Sequence, residues 1–242
     1  MALEREDLGH HLVQQYNEDL EKLHSGVLDM ARLVLAQFDD VIGALERGDA
    51  DVATRVLRRD VEVNTMEVQL DRESQRILAR RQPAAGDLRL IFAVIKTVTD
   101  LERIGDQAGH VARAVIEIDP VTLGHPQGSL LHLAGLVRGM LLAATEAFAR
   151  LDATLALEVV RQDRTVNLEY QAGIRQLLTF IMEDPRTTSS VLQLAWTARA
   201  LERIGDHAKN IAEYVIYMVH GEDVRYTSAD ERQRIEAAPA DQ

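Results

Sequence analysis

From residue 8 the apolar positions fall at Leu8, Leu12, Tyr16, Leu20, Leu23, Val27, Met30, Val34, Phe38, Val41 and Leu45, always three or four residues apart. That spacing predicts one face of a single helix from about Glu4 to Arg47. At 1.5 Å per residue such a helix is on the order of 60 Å long, a length that needs a bundle or coiled coil to cover it. Gly48 ends it, and the Asp49 carboxylate can cap a second helix reaching about Arg81. Pro83 suits the first turn of a third helix that runs to about Ile118. The stretch containing Asp119, Pro120, Gly124, Pro126 and Gly128 reads as the one linker.

Beyond the linker the same order returns. Asp49, Ala50, Val56, Asp60, Val63 and Asn64 recur at a constant offset of 103 as Asp152, Ala153, Val159, Asp163, Val166 and Asn167. LERIGD, residues 101–106, recurs unchanged at 201–206, an offset of 100. The three-residue difference falls between the second and third helices of the unit, where a loop absorbs it. The fold class expected is therefore all-α: two tandem, pseudo-symmetric three-helix bundles with long antiparallel helices. The first occupies residues 1–119, the linker 120–128 and the second bundle 129–220, leaving a polar tail over 221–242.

Composition agrees with helix. Hydrophobic residues make up 46% of the 242, aromatic residues only 4%, and there are five prolines. A net charge of −12 argues against a protein that tracks nucleic-acid phosphates. The absence of cysteine removes disulfides, thiolate chemistry and sulfur ligands. The acidic, amphipathic N-terminus is unlike a signal peptide, and no window is expected to approach the apolar length of a membrane span. A soluble cytoplasmic protein is the expectation.

Charge changes the picture where it enters the apolar faces. At 100° per residue, Asp106 and the apolar Ile91, Ile95 and Val98 all fall within about 40° of Glu102. On the second helix Asp60, Glu67 and Asp71 fall within about 60° of Asn64. Ionised carboxylates on a packing face cost several kcal/mol each unless something pairs with them. Oxygen-only ligands suit Mg²⁺, Mn²⁺ or Ca²⁺, carboxylate bridging also holds iron, and zinc more often recruits His or Cys. The alternative is pairing with neighbouring arginines, among Arg55, Arg58, Arg72, Arg89 and Arg113. The repeat places a second set at Asp163, Asn167, Glu202 and Asp206, but Tyr170 and Ile174 replace Glu67 and Asp71, so this site should be weaker. Gly105 and Gly205, inside helices, imply close approach of another helix or a ligand.

No catalytic set emerges. There is no phosphate loop, nucleophile elbow or HExxH, and of the di-iron ExxH pattern only Glu21 with His24 is present. His207 follows Asp206 and points about 100° away, which suits a surface or core histidine better than a ligand. A regulatory adaptor, a carboxylate-bridged metal enzyme and a coiled-coil spacer are the three readings to separate. The enzyme needs an open coordination position and a nearby acid or base, and the spacer should not tolerate acids on its apolar face.

RQPAAGDLRLIFAVIKTVTDLERIGDQA over residues 81–108, MEDPR with ALERIGDHAKNIAE in the second half, and DVEVNTMEVQLD over 60–71 together resemble the PhoU family of phosphate-uptake regulators. The resemblance covers essentially the whole chain. It implies a non-enzymatic cytoplasmic adaptor that represses the phosphate-starvation response by contacting the sensor histidine kinase PhoR and the transporter ATPase PstB. It also implies metal ions or clusters, with magnesium, manganese, iron and zinc open, at Glu102, Asp106, Glu202 and Asp206 beside Asp60, Asn64, Glu67 and Asp71. Tyr226 stands where many members carry His. A homodimer is expected because Val34, Leu35 and Ile42 place apolar residues on more than one face of the first helix.

Overall fold

The structure is a computed structural model that describes residues 5–80, 83–118 and 127–224, with backbone alone for 5–13 and 127. Six helices account for nearly all of it: α1 (Arg5–Arg47), α2 (Ala50–Arg80), α3 (Ala85–Glu117), α4 (Gln127–Arg150), α5 (Ala153–Glu183) and α6 (Thr188–His220). One 3-10 turn, Pro185–Thr187, precedes α6. Among the described residues there is no strand. The positions expected as linker over 119–126, and the tail from 225 onward with Tyr226, lie outside the described residues.

The turn between the first two helices of each unit follows its local chemistry. Gly48 takes a left-handed φ of 67°, and Asp49 Oδ1 then accepts from the amides of Asp51 and Val52 at 3.1 and 3.0 Å. In the second unit Asp152 Oδ1 accepts from Leu155 N at 3.0 Å, but the left-handed position falls to Leu151, at φ 52°. The expectation for Pro83 is corrected. α3 starts at Ala85 with extended Ala84 (ψ 165°) at its cap, so Pro83 stands outside the first turn. α4 likewise begins at Gln127, inside the stretch read as linker.

α1, α2 and α3 bury their stripes on one another, and α4, α5 and α6 repeat that arrangement. The two units share a continuous core, because α3 packs antiparallel along α6 and α1 also touches α4. α3 can serve two neighbours because it buries apolar residues around much of its circumference, from Ile91, Val94 and Val98 to Ala108, Val111 and Val115. Burying each of its larger side chains contributes about 1.5–3 kcal/mol. Polar ties reinforce the α1/α4 contact: Arg138 grips Asp39 with two bonds of 2.6 and 2.8 Å, and the His24 ring stacks on Phe148 at 5.1 Å.

One expectation fails on composition, and the residues offered in support of another are not free. Residues 128–150 form a helix with mean hydropathy 1.3, long and apolar enough by composition to cross a membrane. Its Leu133, Val137, Met140, Leu141 and Phe148 are nevertheless buried in the bundle core. The apolar residues offered as a dimer face on α1 are not free either: Val34 is fully buried, and Leu35 and Ile42 pack half-buried on the core.

Candidate functional site

LERIGD lies in the middle of α3, where Leu101 and Ile104 sink into the core and Glu102 and Asp106 face α2 half-buried. Gly105 permits this approach. A Cβ there would stand 3.4 Å from Val63 Cγ1, 3.6 Å from Asp60 Oδ1 and 3.7 Å from Gln37 Oε1. A Cβ on Gly205 would likewise stand 3.3 Å from Val166 Cγ1 in the second unit, so both glycines serve close helix crossing.

α2 supplies Asp60, Asn64, Glu67 and Asp71, all half-buried, to the same space. Burial raises the Asp60 carboxyl above its ordinary range, and repulsion from Asp106 raises it further, against relief from Arg113 and Asn64. Glu102 is raised by burial and by Asp106 and Glu67, and Glu67 by burial and by Asp71. The five acids of α2 and α3 thus act on one another across the crossing. Arg103 is the nearest relief, 3.5 Å from Glu102 Oε2, and it is exposed. Of the arginines weighed as partners, Arg113 alone contributes here, by charge on Asp60.

The second unit has the same skeleton and a different charge balance. Asn167 donates to Asp163 at 3.2 Å, as Asn64 does to Asp60 at 3.5 Å. Here, however, Lys209 Nζ donates to Asp163 at 2.9 Å, and Arg199 donates to Glu202 at 2.7 Å while lying over the Tyr170 ring. Burial and Asp206 still push Glu202 up, and burial and Asp163 push Asp206 up, but Arg199 opposes both and Lys209 also opposes the rise of Asp206. The repeat maps Arg199 onto Thr99 and Lys209 onto Gly109, so the first unit lacks both cations.

Sequence reading missed four residues in three places. Gln37 of α1, 1% exposed, reaches the first cluster, and its Nε2 finds no hydrogen-bond partner. Its counterpart at the 103 offset is Met140, and that mismatch was a legible signal. Arg199 and Lys209 were the second omission. The third is His207: rather than an isolated core histidine, it lies 2.6 Å from Asp100 Oδ1 across the α3/α6 seam.

The donor chemistry of the first cluster fits a hard cation. Asp60 Oδ1, Asn64 Oδ1 and Asp71 Oδ1 are buried acceptors without a donor, which is costly unless a positive charge meets them. In the second cluster only Glu202 Oε2 is in that state. Among the described residues no three His, Asp or Glu side chains already converge closely enough to hold an ion, so binding would have to draw the repelling carboxylates together.

Comparison with known proteins sets this geometry in context. The model of the PhoU domain matches twice, over residues 27–115 and 130–215. A phosphate-specific transport system accessory protein PhoU homolog of Pseudomonas aeruginosa is 48% identical over 93% of this chain and 93% of its own length. The crystal structure of PhoU from Pseudomonas aeruginosa superposes with a TM-score of 0.79 at 47% identity, covering 84% of this chain and 98% of that one. The phosphate transport system regulatory protein PhoU from Streptococcus pneumoniae gives 0.81 at 26% identity, over 86% and 99%.

Proposed function

The chain belongs to the PhoU family, and from that membership we propose that it is a cytoplasmic regulator of phosphate uptake that represses the phosphate-starvation response when phosphate is plentiful. In this reading it acts as an adaptor, probing the ATPase subunit PstB of the phosphate transporter and the sensor histidine kinase PhoR. The observation that carries it is the double match of the PhoU domain, once in each three-helix unit, together with close relatives named as accessory or regulatory proteins. Those names also favour a non-enzymatic role over a carboxylate-bridged metal enzyme.

Metal belongs to the same proposal. Asp60, Asn64, Glu67, Asp71, Glu102 and Asp106 would hold a divalent or iron-type ion, which would neutralise the acids and fix α2 on α3. Asp163, Asn167, Glu202 and Asp206 would bind more weakly, since Lys209 and Arg199 already neutralise two of them. Assembly as a homodimer would use the outer faces of α2 and α5, where Val61, Val68, Leu168, Leu178 and Met182 are exposed.

The test is deletion of the gene followed by a phosphate-starvation reporter in phosphate-rich medium. Derepression is expected, and repression that persists unchanged sinks the regulatory reading. Co-purification with PstB and PhoR tests the adaptor step. Elemental analysis of untagged protein tests the metal, which should fall sharply in Glu102→Ala with Asp106→Ala.

A further inference from the structure

The antiparallel seam between α3 and α6 has two ends related by the internal repeat, and they are filled differently. At one end Asp100, 7% exposed, accepts from Asn210 Nδ2 at 3.1 Å and lies 2.6 Å from His207 Nδ1. Lys96 closes that end, its Nζ 5.4 Å from the centre of the Tyr214 ring. The offset of 100 maps Asp100 onto Ala200, His207 onto Gln107 and Asn210 onto His110. At the other end, polar groups again stand opposite, but the carboxylate is gone.

What remains there is a cavity of about 340 Å³ lined by Gln107, His110, Arg113, Trp196, Arg199 and Arg203. Gln107 is 8% exposed and makes no hydrogen bond among the described residues. Three arginines converge in a chain whose net charge is −12. Arg199 is partly engaged by Glu202, and Arg113 Nη1 lies 3.3 Å from His110 Nδ1. Glu117, also at the cavity, is occupied by Gln193 Nε2 at 3.1 Å, while Arg203 has no ion-pair partner among the described residues. Guanidinium groups around a vacant carboxylate position favour an anion, and a phosphoryl group matches their planar, multi-donor geometry.

Trp196 says what else the ligand carries. It is the chain's one tryptophan and is 63% exposed on the cavity wall. A large aromatic face left open beside arginines is suited to stacking a planar ring. The volume lies at the lower end of the range for small-molecule sites and exceeds what a bare tetrahedral anion fills. We propose that this cavity binds a phosphorylated ligand of mononucleotide size, its phosphoryl oxygens among His110, Arg113 and Arg203 in place of the missing carboxylate, and its base over Trp196.

The proposal goes beyond the regulatory reading and does not depend on it. Because Trp196 is the only tryptophan, its fluorescence in the full-length protein reports the site directly. AMP is expected to change it saturably, with adenosine and orthophosphate each at least about tenfold weaker, since each supplies only one of the two contacts. Ala200→Asp rebuilds the carboxylate of the other end and should abolish the response. Arg203→Gln, at an exposed position that folding does not need, should weaken AMP about tenfold. No saturable response to AMP at millimolar concentration overturns the proposal, as does a response unchanged in Arg203→Gln. Orthophosphate binding as tightly as AMP overturns the mononucleotide assignment.

Discussion

Lys209 Nζ lies 2.9 Å from Asp163 Oδ2, and the residue that the repeat places in the same position of α3 is Gly109. One bundle therefore pairs a cation directly with its acids, whereas in the other the equivalent Asp60 faces Asp106 with no ion pair among the described residues, relieved only by the charge of Arg113 and the Asn64 hydrogen bond. In the proposed metal reading, Lys209 takes in the second bundle the place that an ion would take in the first. Its replacement by Met should destabilise the protein in chelator by about 1–2 kcal/mol, below the value for a fully buried pair because the lysine is 29% exposed. Urea unfolding with and without Mn²⁺ checks this, and the ion should restore part of the loss. An unchanged midpoint in chelator would show that the pair holds nothing together.

The converse exchange tests the first bundle. A Cβ on Gly109 meets only Leu57 Cδ2, at 3.7 Å, an ordinary contact, so a side chain can leave the backbone there without a clash. Gly109→Lys is expected to stabilise the chelated protein and to abolish the rise in Tm expected of the parent on adding Mn²⁺. Gly109→Met serves as the control for helix propensity, worth about 1 kcal/mol on its own. If the methionine variant loses its metal response equally, charge is not the cause.

These residues also mark where the sequence was legible. Apolar spacing of three and four located the first helix, turn and cap residues the next two, and the repeat the last three; Asp49 announced its cap because capping is local chemistry, and the repeat carries that cap to Asp152. Helical phase put Glu102 and Asp106 on a packing face, since that too depends on one helix alone. What balances those charges depends on neighbours. Thr99 against Arg199 and Gly109 against Lys209 could have been read by extending the repeat past LERIGD, and Gln37 against Met140 by applying its other offset. The α3/α6 seam was not legible: Asp100 and His207 are 107 positions apart, and nothing local says that α3 buries a second face.

Acid should relieve the first cluster. Glu102 is raised by burial and then by Asp106, so the folded chain holds its proton more tightly than the unfolded chain does. Its contribution is fully present below the ordinary value of 4.5 and is lost as pH rises through the raised pKa. Acids held by cations elsewhere shift the total the other way, so the comparison is with Glu102→Gln. In chelator the two proteins should have similar urea midpoints near pH 4.5, with the glutamine variant becoming the more stable toward neutrality. Saturating Mn²⁺ should close or reverse that gap, and a gap independent of pH would mean that Glu102 is not desolvated.

Leu151 occupies the left-handed position that Gly48 fills in the first unit, at φ 52° against 67°. A side chain there costs about 1 kcal/mol or more, and Leu151 is 46% exposed, so little burial offsets the strain. Leu151→Gly should therefore raise Tm despite removing an apolar side chain, whereas Gly48→Leu should lower it. Opposite signs for the two exchanges distinguish backbone strain from a general preference for glycine in turns.

The contact between His207 and Asp100 offers the most direct measure of how firmly the two bundles are joined. Asp100 is 7% exposed, and its Oδ1 receives both the imidazole and Asn210 Nδ2. Removing His207 leaves that carboxylate buried with a single neutral donor, which should cost about 1–3 kcal/mol. Removing Asp100 instead leaves two donors facing an alanine-sized gap, as at the Ala200 end, and should cost less because no buried carboxylate is left stranded. The cycle of His207→Ala, Asp100→Ala and the double variant should give a coupling of about 1–2 kcal/mol by urea unfolding. Deuterium exchange should rise along the α3/α6 seam in each single variant while the α1/α2 contact stays protected. Coupling near zero would mean that apolar packing of α3 on α6 joins the bundles alone, with the polar pair a passenger in the seam.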